Sequence, residues 1–328
     1  MIIQEISRLL IITFVGTFTF ILGKYYQKKT NPHKTSKVST GFGVTLPIFL
    51  IFPYLFFGNT FTSEIKLLSL LFIFITGLIY YIDDVRGLSP TIRLSLSSIS
   101  GLFIVNIYLN NFEDHINIFM LHIFAVAIMC LITNVFNFYD GADLNLSTTI
   151  FLFGFSLINY QNLIVPSLIL IGFSIGFSLI NRKKDSLYLG DSGSYVFACI
   201  VFLILISSSQ DIKNFPINSI YTIILPIYDV LYVLLIRLIK GHDLLTRNYL
   251  HIYQRLNIEY QGFYYLLPQI IHFIVAFSLN KVLNYLNIFN QYENTILICF
   301  VYTPTFYLLT RKFFINKNYF FGDGTNNE

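Results

Sequence analysis

The apolar residues of this chain fall in runs of about 17–25, the length a helix needs to cross a hydrocarbon core of roughly 30 Å. No other feature restricts the fold as much. Inside a bilayer every backbone N–H and C=O must find its partner within the protein, and a helix does this locally. Composition agrees. Hydrophobic residues make up 55% of the 328 and charged residues only 12%, with a mean hydropathy of +0.66. A soluble globule carries about 25% charge to wet its surface. The runs predict an all-α, polytopic transmembrane helical bundle of about eleven spans. They lie roughly at 5–23, 43–59, 65–82, 92–110, 117–136, 145–160, 162–180, 193–209, 216–240, 262–284 and 293–311.

The first run is preceded only by Glu5 and Arg8, with no basic leader and no small-residue cleavage site, so it reads as a first span and not a removed signal peptide. Neither a repeat nor a linker interrupts the chain, and residues 1–328 read as a single integral membrane domain. Trp is absent, which leaves interfacial anchoring to the 23 Tyr. Cys130, Cys199 and Cys299 sit in apolar runs without metal-like spacing and read as packing residues.

Lys and Arg give the bundle a direction. Of the 21 in the chain, all but Arg8, Lys66, Lys213 and Lys281 fall on one face. By the positive-inside rule that face is cytoplasmic, with the N-terminus out and the C-terminus in. The net charge of +4 is too diffuse for a nucleic-acid surface. Asp83, Asp84, Asp140, Asp143, Asp185, Asp191 and Asp243 all lie on or beside the same face. Carboxylates near a bilayer are costly unless paired or ion-bound, so their clustering asks for a reason.

Four clusters carry the candidate chemistry. Asp83-Asp84 ends an apolar run; helical neighbours point about 100° apart, so one could hold a hard cation while the other acts as a base. The alternative is a solvated helix end paired to Arg86 and Arg93. Asn134 and Asn137 share a helix face ahead of Asp140-Gly141-Ala142-Asp143, a set suited to a polar ligand; Asp143 or Asn145 could instead cap the next helix. Gly190-Asp191-Ser192-Gly193-Ser194 leads into a span. Small residues at a helix start admit phosphate, and an Asp there makes sense if Mg²⁺ bridges it to a diphosphate, which is the economical reading; the alternative is Asp191 or Ser192 as a simple N-cap. The longer connection near 241–261 holds His242, Asp243 and Arg247, then His251, Gln254 and Arg255, which share one face if helical. Asp229, after Pro226 inside a span, is either a functional intramembrane carboxylate or a hydrogen-bonding prop at a kink.

In this order, the clusters resemble those of the polyprenyl-phosphate N-acetylhexosamine-1-phosphate transferases, glycosyltransferase family 4. The resemblance rests on Asp83-Asp84 with Leu88-Ser89-Pro90 and Arg93-Leu94, on Asn134-x-x-Asn137-Phe-x-Asp140-Gly141-x-Asp143, on Gly190-Asp191-Ser192-Gly193-Ser194 and on Pro226-x-x-Asp229. Pro32-His33-Lys34 with Gly41 and Gly43 is a degraded first-loop motif. Two departures stand out. Leu144-Asn145 follows Asp143 where Gly-Leu is common, and His251-Ile252-Tyr253-Gln254 replaces His-x-His-His. The latter is similar to the subgroup that begins bacterial surface polysaccharides such as O-antigen.

The resemblance implies transfer of an N-acetylhexosamine 1-phosphate from a UDP-sugar to polyprenyl (undecaprenyl) phosphate, releasing UMP. It implies Mg²⁺, with Mn²⁺ as an alternative, and a bacterial inner-membrane enzyme with its site facing the cytoplasm. Asp83, Asp84, Asp191 and His251 are the expected catalytic residues, and Asp191 with Asp84 the metal ligands. Asn134, Asn137, Asp140, Asp143, Gly190, Ser192, Gly193, Ser194 and Arg255 are expected to line the substrates. The partners are the two substrates and membrane lipids, with a homodimer left open. The rival class is a transporter using Asp229 as its coupling carboxylate.

Overall fold

The structure is a computed structural model that describes residues 2–30, 39–57, 65–112, 117–182, 187–210, 215–242, 250–260, 262–287 and 289–315. Pro32, His33, Lys34, Asp185, Asp243 and Arg247 lie outside them. Among the described residues all regular structure is helical, beside one isolated parallel bridge between Ser39 and Leu187. The chain is thus an all-α polytopic membrane protein, as the apolar runs require.

Among the described residues, eight helical segments are long and apolar enough to cross a bilayer. They contain α1 (Ile2–Thr30), α3 (Leu67–Arg86), α4 (Pro90–Ile107), α5 (Ile118–Tyr139), α7 (Ile164–Asn181), α8 (Gly190–Ser207), α9 (Ile220–Ile239) and α11 (Leu267–Tyr285). The other three expected spans are shorter or broken. A 3₁₀ turn at Phe42–Thr45 runs into α2 (Leu46–Phe57), with Pro53 inside it, and α6 (Asn145–Leu157) has only 13 residues. The last is composite: α12 (Gln291–Leu297), a π turn at Ile298–Tyr302 and α13 (Thr303–Phe314). Pro304 has no N–H to bond back into that turn, and Ile298 O accepts both the Thr303 N–H and, at 3.0 Å, the Thr303 hydroxyl.

The backbone divides into two compact units, Met1–Pro216 and Ile217–Glu328. In the first, α8 is the axis. It packs on α3, α4 and α5 and is buried along nearly its whole length. Phe197 meets the rings of Phe136 and Phe153, and Tyr195 stacks on Tyr80 at 3.8 Å. Gly193 lets the 3₁₀ turn close in: a Cβ on Gly43 would fall 1.9 Å from the Gly193 Cα. In the second unit, α9 packs on α11 and α13, and α10 (Ile252–Glu259) is a short helix after the longer connection.

Candidate active site

Helices of alternating direction bring their polar ends together. In the first unit α3 ends, α4 begins, α5 ends and α8 begins at one end of the bundle, and each contributes a charged side chain there. Asp83 and Asp84 come from the last turn of α3, Arg93 from the first turn of α4, Asp140 from the C-cap of α5 and Asp191 from the first turn of α8. Ser89 caps α4 by accepting the Ile92 N–H, and Pro90 opens that helix; together they fix where Arg93 stands.

The two adjacent aspartates have different tasks. Asp83 is fully buried and faces Arg93, whose Nε and Nη2 lie 2.7 and 2.9 Å from its two oxygens; the Leu88 N–H donates to it as well. Asp84 turns to α8, where its oxygens accept the backbone N–H of Asp191 at 2.8 Å and of Ser192 at 3.1 Å. It supplies the cap that α8 lacks in its own sequence, since Leu189 at the N-cap offers no side-chain bond. The next amide belongs to Asp140, which accepts the Gly190 N–H at 2.8 Å. Gly190 is required here: its φ is +77°, and a Cβ would sit 2.4 Å from the Asp84 carboxylate. The three amides at the start of α8 are thus taken by carboxylates of α3 and α5. A simple cap by Asp191 or Ser192 is not what forms.

Asp191 itself points away from its helix end, and its Oδ2 lies 3.1 Å from Arg93 Nη2. Arg93 therefore bridges Asp83 and Asp191. It is the cation in direct contact with two of the four carboxylates. Burial and the charges of Asp84 and Asp191 raise the Asp140 carboxyl well above the usual range, although the Gly190 N–H partly offsets them.

The flanking residues sort into supports and bystanders. Asp143 accepts from the Tyr188 hydroxyl, and Asn181 takes the Leu144 N–H on one side while donating to Leu187 O at 2.8 Å on the other. Leu144, at φ +61°, occupies the N-cap of α6, and Asn145 donates back to Tyr139 O, so neither Asp143 nor Asn145 caps that helix as one reading suggested. Asn137 lies near Tyr195 beside the acidic centre. Asn134 does not join it: exposed, it donates to Cys130 O on its own helix. Ser192 and Ser194 are buried, their hydroxyls given to Leu189 O and Gly190 O, and Gly193 is pressed against Gly43. These three build the helix start and do not line an open face. The Asp83–Arg93 pairing was one of the sequence's two readings of that helix end, whereas Tyr195, Asn181 and Tyr188 are residues that the sequence left without a role. Their signal was proximity to the motifs.

The donor set suits a hard cation. Four carboxylates and one guanidinium at this end of the bundle leave more acidic than basic groups. Among the described residues no three His, Cys, Asp or Glu side chains converge to hold a metal unaided. Mg²⁺ does not need that, since it commonly takes one or two carboxylates and completes its shell with water and substrate phosphates. Asp191 is the candidate ligand with a part-exposed carboxylate; Asp140 has one oxygen on an amide, and Asp84, expected as the second ligand, has one amide on each oxygen.

His251 and Arg255 belong to the second unit, and both are buried. His251 is the N-cap of α10, with Gln254 accepting its N–H at 3.4 Å. Asp229 accepts from His251 Nδ1, from the Ile252 N–H and from the Tyr307 hydroxyl, each at 3.1 Å. It is a hub that fixes the start of α10, not a carboxylate kept for an ion in transit.

All five residues of the acidic centre fall inside residues 66–209, which match the family model for glycosyl transferase family 4. Over this segment, somewhat under half of the chain, the protein is similar to glycosyl transferase family 4. Relatives are similar at lower identity. A phospho-N-acetylmuramoyl-pentapeptide-transferase of Streptococcus uberis is 26% identical over 194 residues, covering 52% of this chain and 58% of its own. That of Streptococcus pneumoniae is 23% identical over 196 residues, 53% and 60% of the two chains, and that of Streptococcus agalactiae 26% over 172, 45% and 51%. The matches thus span about three-fifths of these relatives or less. They bear out the family 4 resemblance. The surface-polysaccharide subgroup gains nothing from them, since the names they carry belong to a muramoyl-pentapeptide transfer.

Proposed function

We propose that this chain transfers a sugar 1-phosphate from a UDP-N-acetylhexosamine to polyprenyl phosphate at a membrane face. The acidic centre carries the reading. Four carboxylates and one arginine gathered at the ends of spanning helices suit a reaction between two phosphates beside a lipid. The family 4 segment and the transferases it resembles support the reaction class; the N-acetylmuramoyl-pentapeptide in their name makes that sugar the first candidate donor.

In the transfer, an oxygen of the lipid phosphate attacks the sugar-bearing phosphorus of the UDP-sugar. The bond from that phosphorus to the oxygen bridging it to the uridine-bearing phosphorus breaks, UMP leaves with that oxygen and the electron pair, and a polyprenyl diphosphate sugar remains. A divalent cation held by Asp191 and Asp140 would supply the positive charge that lets two anions approach. Asp84 fixes the first turn of α8 so that Asp191 is aimed away from its own helix. Asp83, buried and paired, keeps Arg93 at the centre and is not placed to take a proton from substrate. Asn137 and Tyr195 form one polar wall, and Asp143 with Tyr188 steadies the segment leading into α8. His251 and Arg255 belong to the second unit, and this reading does not depend on them.

The face is cytoplasmic in this proposal, as the Lys and Arg distribution suggests, and the membrane is the bacterial inner one. The test is UMP release by the purified chain with undecaprenyl phosphate, Mg²⁺ and a panel of UDP-sugars that includes the muramoyl-pentapeptide. Release that disappears with Asp191→Asn supports the reading. Normal turnover in that variant would sink it.

A further inference from the structure

The contacts of Arg93 are unequal. Toward Asp83 it makes two, at 2.7 and 2.9 Å, with a carboxylate whose side chain is 0% exposed. Toward Asp191 it makes one, at 3.1 Å, where the carboxylate is 20% and the guanidinium 29% exposed. Breaking the first would strand a buried charge, whereas the second is part-solvated and easily replaced. Both Nη2 bonds come from one nitrogen, so a rigid guanidinium spans the two acids at once.

We infer that Arg93 is the internal counter-ion of Asp191, bridging it to buried Asp83, so that loading a divalent cation must break the Arg93–Asp191 contact. The inference rests on the proposed role of Asp191 as a metal ligand. Its consequence runs opposite to what a supporting arginine would give: loosening Arg93 strengthens cation binding. Lys is the discriminating substitution. It keeps the charge but, with a single compact ammonium, stays with Asp83 and releases Asp191.

The experiment measures Mn²⁺ affinity of the full detergent-solubilised chain by electron paramagnetic resonance, with no nucleotide or lipid phosphate added. The expected result is that Arg93→Lys binds Mn²⁺ about fivefold more tightly than the unsubstituted protein or better, the loss of one part-exposed ion pair. Arg93→Gln, where it folds, binds more tightly still. Arg93→Lys with unchanged or weaker affinity overturns the inference. Asp191→Asn keeps the two failures apart: unaltered Mn²⁺ binding there overturns the metal assignment itself. Loss of binding in Asp191→Asn together with no gain in Arg93→Lys overturns the counter-ion role alone.

Discussion

Asp84 accepts the backbone N–H of Asp191 at 2.8 Å, across 107 residues of sequence. A carboxylate at the end of one helix thereby caps the start of another, and its charge opposes the partial positive charge of that helix end. Substituting Asp84→Ala leaves the Asp191 and Ser192 amides without their acceptor. The expected cost is about 1–3 kcal/mol for charge-assisted bonds in a half-buried setting. A thermal unfolding midpoint in detergent reads it, and Asp84→Asn, which keeps an acceptor oxygen, should lose less than Asp84→Ala.

The approach of the 3₁₀ turn to α8 makes a second prediction. Gly43→Ala forces a methyl to within 1.9 Å of the Gly193 Cα, a backbone atom that cannot swing aside. Overpacking of this kind costs about 1–3 kcal/mol. Gly241→Ala is the comparison, since a Cβ there meets nothing within 4 Å and only the φ of +68° is unfavourable, worth about 1 kcal/mol. A larger loss at Gly241 than at Gly43 would contradict the packing described.

These two predictions also mark what the sequence made legible. The helices, the membrane and the acids at one end of the spans follow from run length and from where Asp residues interrupt them. The division of labour between Asp83 and Asp84 does not. It depends on which face of α3 meets α4 and which meets α8, a tertiary fact that two identical neighbouring letters cannot encode. Ser192 and Ser194 were misleading for a related reason. A Gly- and Ser-rich helix start reads as a phosphate cradle, yet the same small residues here allow close packing against Gly43 and bond their own helix carbonyls. The shorter α2 was foreshadowed by Pro47 and Pro53, and the π turn near Thr303 had only Pro304 as its sign.

A third prediction concerns pH. The Asp140 carboxyl is raised by burial first and by the charges of Asp84 and Asp191 next. Its folded value therefore lies above its unfolded one, about 3.9. The folded state holds this proton more firmly, so its contribution to stability is full below about pH 3.9 and is lost as pH rises toward the folded value. With divalent cations chelated, the unfolding midpoint of the unsubstituted protein should fall across that window more steeply than that of Asp140→Asn. Adding Mg²⁺ should restore the midpoint at neutral pH, because cation binding favours the ionised carboxylates. Identical pH profiles for the two proteins would show that Asp140 does not carry the burden of burial.

The last prediction separates the two readings of Asp229. As a hub it accepts bonds from His251, Ile252 and Tyr307, and Arg311 adds a tie from the same side by donating to Leu250 O at 3.0 Å and to the Tyr307 hydroxyl at 3.2 Å. Asp229→Ala leaves three buried donors without their acceptor, at an expected cost of about 3–5 kcal/mol. The damage should be local before it is global. Hydrogen exchange at the amides of 250–256 should quicken in Asp229→Ala, and less so in Asp229→Asn, which preserves an oxygen for the Ile252 N–H. A transporter's coupling carboxylate predicts the reverse pattern: Asp229→Asn would abolish ion coupling while leaving the exchange of 250–256 untouched. The three converging bonds favour the first outcome, since a carboxylate that must pick up and release an ion cannot also be the fixed point on which the start of α10 hangs.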